Sequence, residues 1–207
     1  MTEYQPLKDE DLKLYVEVMQ QIKNRIDAAV QILRPADLTS LPLVELALLQ
    51  LRTSIELVAL SSLISNRYEC EKISAAFAGR EYADAVKLLR KVNPDYWPRP
   101  HEDVVDPDTG MRHHKPIEVG FLTEAEHPRA WGHLSAWLHA RSPFEAPPSM
   151  SEGVELGRDV AGKLLVLLGI HNVKLINRDQ MVVCHMNEGD LGALKVYDFG
   201  RSDGRSR

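Results

Sequence analysis

The stretch PLVELALLQLRTSIELVALSSLISN, residues 42 to 66, decides the fold of this chain of 207 residues. At about 100° per residue, Glu45, Arg52 and Glu56 fall on one line of a helix, and apolar residues fill both sides of that line. One side carries Leu46, Leu57, Leu60 and Ile64, and the other carries Val44, Leu51, Ile55 and Val58. A helix that is apolar on two sides belongs inside a domain, so we predict a core helix from Pro42 to Asn66.

Other amphipathic patterns surround this helix. Asp9 to Leu33 repeats apolar residues at three- and four-residue spacing, and the short link after Pro35 predicts an antiparallel hairpin with the core helix. Further helices are predicted at Glu69 to Val92, from the capping pair Thr123 and Glu126 toward Ala140, and from Ser151 to Leu168.

The period changes after Gly169. HNVKLI, QMVVCHM and LKVYDFG are short, rich in strand-forming residues and separated by turns, which predicts a three-stranded antiparallel meander. Residues 101 to 120 carry the turn DPDTG and are expected to form an exposed excursion or a short hairpin. The predicted fold is therefore mainly α: an antiparallel helical bundle (1–150), a helix with a β-meander packed on it (151–200), and a disordered tail (201–207).

Composition limits the function. The formal net charge is −5 with scattered basic residues, so a nucleic-acid partner is unsupported, although it is not excluded. The apolar runs are too short for a membrane span, and the polar amino terminus lacks a secretion signal, so a cytoplasmic protein is expected. Cys70 and Cys184 are expected to be reduced thiols.

Four residues are the candidates for a catalytic site. Arg52 and Glu56 are one helical turn apart and form either a structural ion pair or one side of an anion site. His139 and Arg141 stand where a helix gives way to a Ser-Pro loop, which places polar side chains near a ligand. Structural roles for all four remain the alternative.

Other chemistry has weaker support in the sequence. His113 and His114 are neighbours on an extended chain and point to opposite faces, so we expect no metal site there. The chain has no HExxH, GxSxG, P-loop or GxGxxG motif, and no cofactor is expected. Cys184 is interpreted as a core residue.

A resemblance rests on four segments that span most of residues 45 to 145. They are LQLRTSIELVAL (49–60), KVNPDYWPRP (91–100), FLT (121–123) and LSAWLHARSPF (134–144). These segments resemble a group of uncharacterised bacterial helical proteins, which is more loosely similar to HEPN-type domains of defence and toxin systems. HEPN ribonucleases carry an R-x4-6-H motif at a helix end, whereas the matching spacing here, Arg178 to His185, lies in the predicted strands.

The resulting hypothesis is an interaction or ligand-binding module, with a bacterial defence or toxin-antitoxin context implied by the resemblance. A homodimer or a protein partner is expected by analogy, with the first helix as the partner surface. The alternative is an HEPN-like enzyme that cleaves RNA or handles phosphate, in which His139 acts as acid or base and Arg52 or Arg141 steadies the anion.

Overall fold

The computed structural model describes residues 8–35, 38–65, 82–139, 144, 149–175, 180–188 and 193–200. The fold is mainly helical, as predicted, with five helices and five strands in these ranges. The helices are α1 (Asp9–Leu33), α2 (Leu41–Ser65), α3 (Tyr82–Val92), α4 (His127–Leu138) and α5 (Met150–Leu168). The strands are β1 (Arg99–Val105), β2 (Arg112–Pro116), β3 (Ile170–Lys174), β4 (Gln180–Glu188) and β5 (Ala193–Gly200).

Helix α1 matches its predicted bounds and packs against α2. Its buried stripe consists of Asp11, Tyr15, Met19, Ile22, Ile26, Ala29 and Leu33. Because this stripe lies in the hydrophobic core, the expectation that it serves as a partner surface is wrong. Packing within the chain already covers the apolar face that suggested the partner.

Helix α2 has two apolar faces with different environments. Val44, Leu51, Ile55 and Val58 are completely buried, as predicted. The opposite face is partly open: Leu43, Leu46, Leu49 and Leu60 are 43, 43, 41 and 36% exposed, whereas Leu57 and Ile64 are half-buried and pack against the core. The prediction of a helix buried on both sides is therefore correct for one side only.

The sheet is larger than predicted. Its strand order is β2-β1-β3-β4-β5, and every pairing is antiparallel. The three predicted strands form β3, β4 and β5. Of the two alternatives for residues 101 to 120, an exposed excursion or a short hairpin, the hairpin forms: it consists of β1 and β2 and joins β3 through two residue pairs, Arg99 with Asn172 and Pro100 with His171. The three-stranded count was wrong because a pairing between residues about 70 apart leaves no local pattern in the sequence.

The sheet rests on the helices with one face only, which we call the inner face. His171 and Val173 of β3, and Val182 and Cys184 of β4, point inward and are buried. The alternate residues form the outer face, and His114 of β2 and Tyr197 of β5 lie there. Strand β1 precedes residue 150 in the chain and strand β3 follows it, so one sheet contains strands of both predicted units. The boundary between these units stays a prediction.

The predicted capping pair forms in the turn before α4, which itself begins later, at His127, with Glu126 as its N-cap. The Thr123 hydroxyl donates to Glu126 Oε2 at 2.8 Å, and the Glu126 N–H donates to Thr123 Oγ1 at 3.2 Å. Pro128 then falls in the first turn of α4, where a missing N–H costs nothing. Helix α5 begins one residue earlier than predicted, because Ser149 rather than Ser151 caps it.

Several predictions lie outside the described residues: the first part of the helix expected from Glu69, Cys70, Arg141, and the tail from 201 to 207. Within the described ranges, no helix combines the length and the apolarity that crossing a membrane requires.

Candidate functional site

Arg52 and Glu56 meet on α2, as predicted, and a third residue joins them. The Arg52 Nε–H donates to Glu56 Oε1 at 3.3 Å, and the Trp131 indole N–H donates to the same oxygen at 2.7 Å. The Arg52 guanidinium carbon lies 4.9 Å from the centre of the Trp131 ring. Both charged side chains are 29% exposed. The three residues therefore form a half-buried junction between α2 and α4.

This junction satisfies the two charges without a ligand. The guanidinium has a carboxylate on one side and an aromatic ring near it, and the carboxylate has two donors. A bound anion would have to compete with Glu56 for Arg52. The contacts therefore favour the structural interpretation of this pair, in which Arg52 and Glu56 hold α4 against α2.

His139 does not belong to this junction. It is exposed and follows the last residue of α4, eight residues beyond Trp131. At a rise of 1.5 Å per residue, that spacing is about 12 Å along the helix axis. Arg141 lies outside the described residues. The structure thus brings Arg52 and Glu56 together and sets His139 apart from them, and the catalytic set of four stays a prediction.

The sequence did not single out His127, which is the most enclosed ionisable group of α4. The ring is completely buried, its Nδ1 lies 3.0 Å from the Tyr82 hydroxyl, and its Nε2 lies 2.6 Å from the Tyr96 hydroxyl. The indole of Trp97 stacks on the imidazole at 4.1 Å and 14°. Because a neutral imidazole has one N–H, one hydroxyl donates to the ring and the other accepts from it.

Burial controls the ionisation of this cluster. Desolvation, together with the nearby positive charge of Arg90, lowers the pKa of His127 to about 4. Desolvation also raises the pKa of both tyrosine hydroxyls above the ordinary value. All three groups are neutral near pH 7 and hydrogen-bonded, which describes a structural centre. The sequence signal that points to this position is the aromatic pair Tyr96 and Trp97 between Pro94 and Pro98, because large aromatic side chains in a proline-bounded segment favour attachment to the core, and both are buried.

A second buried histidine lies under the sheet. The His171 Nδ1–H donates to the carbonyl of Leu168 at 3.1 Å, which leaves Nε2 to accept from the Tyr15 hydroxyl at 3.2 Å. Desolvation lowers the pKa of His171 to about 4. Across the strand pair, Cys184 is fully buried, and desolvation raises the pKa of its thiol to about 12. The thiolate needed for nucleophilic attack is therefore suppressed, and the prediction of a core cysteine is confirmed.

The outer face of the sheet carries four rings in a continuous row. The ring centres of His101 and His114 are 6.5 Å apart, those of His114 and His185 are 5.5 Å apart, and those of His185 and Tyr197 are 5.7 Å apart. Each contact is edge to face. We call these four residues the ring row. His114 also binds Asp103 at 2.9 Å, and Asn172 Nδ2 lies 3.3 Å from His101 Nε2.

A groove of about 420 Å³ lies between the end of α1 and the middle of α5. Its floor is apolar, and Arg34 and Arg158 stand at its edge. The Arg158 side chain donates to the carbonyl oxygen of Leu33 at 3.0 and 2.7 Å, so it completes the end of α1. The guanidinium of Arg158 is therefore hydrogen-bonded within the fold. Arg34 is the other cationic residue that lines the groove.

Metal binding has no support in the described part of the chain, where no three histidine, cysteine, aspartate or glutamate side chains come together as a metal site requires. Compared with family models, curated proteins and solved structures, the chain matches none. The HEPN resemblance is therefore a prediction, and function has to be argued from the geometry alone.

Proposed function

We propose that the protein is an interaction module that pairs with a second copy of itself through the open face of α2. The observation that carries this proposal is the leucine stripe: the residues Leu46, Leu49 and Leu60 are exposed along one face of a helix whose opposite face is buried in the core. A helix of this composition is usually buried all round.

The stripe is symmetric about Thr53. Leu46 and Leu60 lie seven residues on either side of Thr53, and Leu49 and Leu57 lie four residues on either side. Two such helices, packed antiparallel around a twofold axis at Thr53, place each leucine of one copy against a leucine of the other. A twofold interface needs a self-complementary surface of this kind, which favours a second copy over an unrelated partner.

The size of the stripe agrees with a functional surface. From Leu43 to Leu60 the exposed leucines run about 26 Å along the helix, and at a width of about 10 Å they cover roughly 260 Å². Exposed apolar patches of this size on a monomer are often binding sites. Other surfaces of the chain would have to add area to reach the roughly 800 Å² per partner of a standard interface.

The alternative function, an HEPN-like enzyme that cleaves RNA or handles phosphate, has less support. It needs an open anion site at Arg52, and that guanidinium is already paired with Glu56 and packed on Trp131. Incubation of the purified protein with total RNA, beside a His139→Ala variant, tests the enzyme directly. Cleavage by the wild type that the variant lacks would favour the enzyme over the module.

Sedimentation velocity tests the dimer. We expect wild-type protein at micromolar concentration to sediment as twice the 23.4 kDa chain, and the double variant Leu46→Glu, Leu60→Glu to sediment as a folded monomer. The matched control is Leu14→Glu, because Leu14 is similarly exposed but lies on α1. A wild-type monomer at 100 µM, or a dimer that survives the double change, would contradict the proposal.

A cysteine at the symmetry axis tests the register. Thr53→Cys places two thiols across the axis, so mild oxidation should link the two copies covalently. Leu46→Cys is the control, because Leu46 faces Leu60 rather than itself. The wild type, with its native cysteines, sets the background. Equal cross-linking of the two variants would refute the antiparallel arrangement.

A further inference from the structure

The sheet curls so that its first two strands lean over the outer face. In a flat sheet, three strand spacings of about 4.8 Å would separate β2 from β4 by about 14 Å. The ring centres of His114 on β2 and His185 on β4 are only 5.5 Å apart. The cause lies in β1, which pairs with β3 at Arg99 and Pro100 and then turns away with β2. The ring row follows the concave side of this bend.

We infer that the ring row is a binding site for single-stranded nucleic acid, with the rings as stacking surfaces and the surrounding cations as phosphate contacts. This site is independent of the α2 interface. Side chains that merely fill a sheet surface have no need to place four rings in sequence. Two members of the row, His114 and Tyr197, are 44 and 38% exposed, and His101 and His185 are half-buried. Unpaired bases stack on exposed rings of this kind.

The charge of the outer face suits a polyanion, although the whole chain is acidic. Four basic residues point outward across the strands: Arg99, Arg112, Lys174 and Lys195. Arg99 and Lys174 share the carboxylate of Asp95, and Arg112 pairs with Asp103. These three basic side chains outnumber the two carboxylates that they pair with, opposite in sign to the net charge of −5.

Two ion pairs on this face are long enough for phosphate to replace them, whereas the Arg99–Asp95 pair is closer. Arg112 lies 3.7 Å from Asp103 and is 73% exposed, and Lys174 lies 3.5 Å from Asp95. Exposed pairs with such separations contribute little to stability. A phosphate that binds Arg112 or Lys174 therefore breaks an ion pair that contributes little energy.

The same geometry disfavours two other ligands. A metal ion needs converging ligand atoms, and the rings meet edge to face with their centres 5.5 to 6.5 Å apart. A duplex hides the faces of its bases within the stack, so rings on a sheet cannot stack on them. Single strands are the form of nucleic acid that can use both the rings and the cations.

Fluorescence anisotropy with a labelled ten-nucleotide RNA of mixed sequence tests the site. We expect the wild type to bind the single strand at least tenfold more tightly than the matching duplex. Tyr197→Ala and His114→Ala should each weaken binding of the single strand about tenfold, as removal of a stacking ring does. Tyr197→Phe keeps the ring and should bind within about threefold of the wild type. His133→Ala, at an exposed histidine of α4, is the control.

Salt provides a second measurement that is specific to phosphate contacts. For three to four neutralised phosphates on a single strand, a rise from 50 to 200 mM KCl should weaken binding roughly 20- to 50-fold. Arg112→Gln should reduce this salt dependence, because it removes one contact.

Three results would overturn the inference: no binding at 100 µM protein, equal affinity for the duplex, or unchanged affinity in folded Tyr197→Ala and His114→Ala. The Thr53→Cys cross-link tests the α2 interface independently of RNA binding. A protein that dimerises without binding RNA would refute the nucleic-acid site alone, and a monomer that binds RNA would refute the dimer alone.

Discussion

Two regions of this protein combine histidine with tyrosine, and they differ in almost every physical respect. His127 lies between two hydroxyls and under an indole, with no exposed surface and with both ring nitrogens hydrogen-bonded. The ring row on the outer face of the sheet has edge contacts between its members, and two of them, His114 and Tyr197, are exposed to solvent.

The difference shows that residue type alone does not identify a site. Around His127, two tyrosine hydroxyls already form hydrogen bonds with both ring nitrogens, so neither nitrogen can bind a ligand. Along the ring row, His114 and Tyr197 are 44 and 38% exposed, and basic side chains lie on the same face of the sheet. The first region should therefore control stability, and the second should control binding.

The largest effect is expected from His127→Ala. The change removes two buried hydrogen bonds and a stacked ring and leaves a cavity, so the free energy of unfolding should fall by about 3–5 kcal/mol. Urea unfolding measures this loss. His133→Ala, an exposed position on the same helix, should change stability by less than about 0.5 kcal/mol. Similar losses in the two variants would remove the distinction between the regions.

The second largest effect on stability is expected from lowering the pH, because of the two buried histidines. The pKa of His127 and of His171 is lowered to about 4, against about 6.5 in the unfolded chain. Between those values the unfolded chain binds protons that the native chain does not. The contribution of these histidines to the free energy of unfolding is therefore complete above pH 6.5. It is lost as the pH falls toward 4, by up to about 3 kcal/mol for each histidine.

Urea unfolding between pH 7 and pH 4.5, together with NMR titration of the imidazole protons, checks this window. The signals of His127 and His171 should stay in the neutral form at pH 6. Titration of either buried ring above pH 6 would show that its burial is incomplete.

Tyr15→Phe should have a moderate effect. It removes the hydroxyl that donates to His171 Nε2 and leaves a buried acceptor unsatisfied, so the free energy of unfolding should fall by about 1–2 kcal/mol. Tyr197→Phe is the matched change on the outer face and should cost less than about 0.5 kcal/mol. Thermal unfolding of the two variants side by side gives the comparison. A greater loss for Tyr197→Phe would reverse the roles of the two regions.

The smallest effect on stability is expected from His114→Ala. His114 is exposed and its partner Asp103 is solvent-accessible, so the free energy of unfolding should change by less than about 1 kcal/mol. The same variant should weaken binding of single-stranded RNA about tenfold. Unchanged binding together with a large loss of stability would make the ring row a structural feature like the His127 cluster.

Local patterns predicted the elements of this fold well. The bounds of α1 agree with the apolar periodicity, α2 shifts by one residue, and the capping pair at Thr123 forms in the turn before α4. The three C-terminal strands also lie where alternation and turns place them. These signals were sufficient because each depends on residues that are neighbours in the chain.

The candidate site was predictable only in part. The pairing of Arg52 with Glu56 follows from their spacing of four residues, whereas Trp131, 75 residues from Glu56, enters only when α4 packs on α2. His127 was passed over for the same reason: its partners Tyr82 and Tyr96 are 45 and 31 residues away.

The sequence by itself determined a mainly helical chain, its helix ends, and a core helix with one charged line, because periodicity, caps and turns act over a few residues. Tertiary structure alone decided which apolar face of α2 stays open, that a hairpin near residue 105 extends the sheet, and which histidines are sealed or exposed. Those outcomes depend on contacts between distant segments. A residue's burial and partners are set by what packs against it, and the local sequence does not encode that.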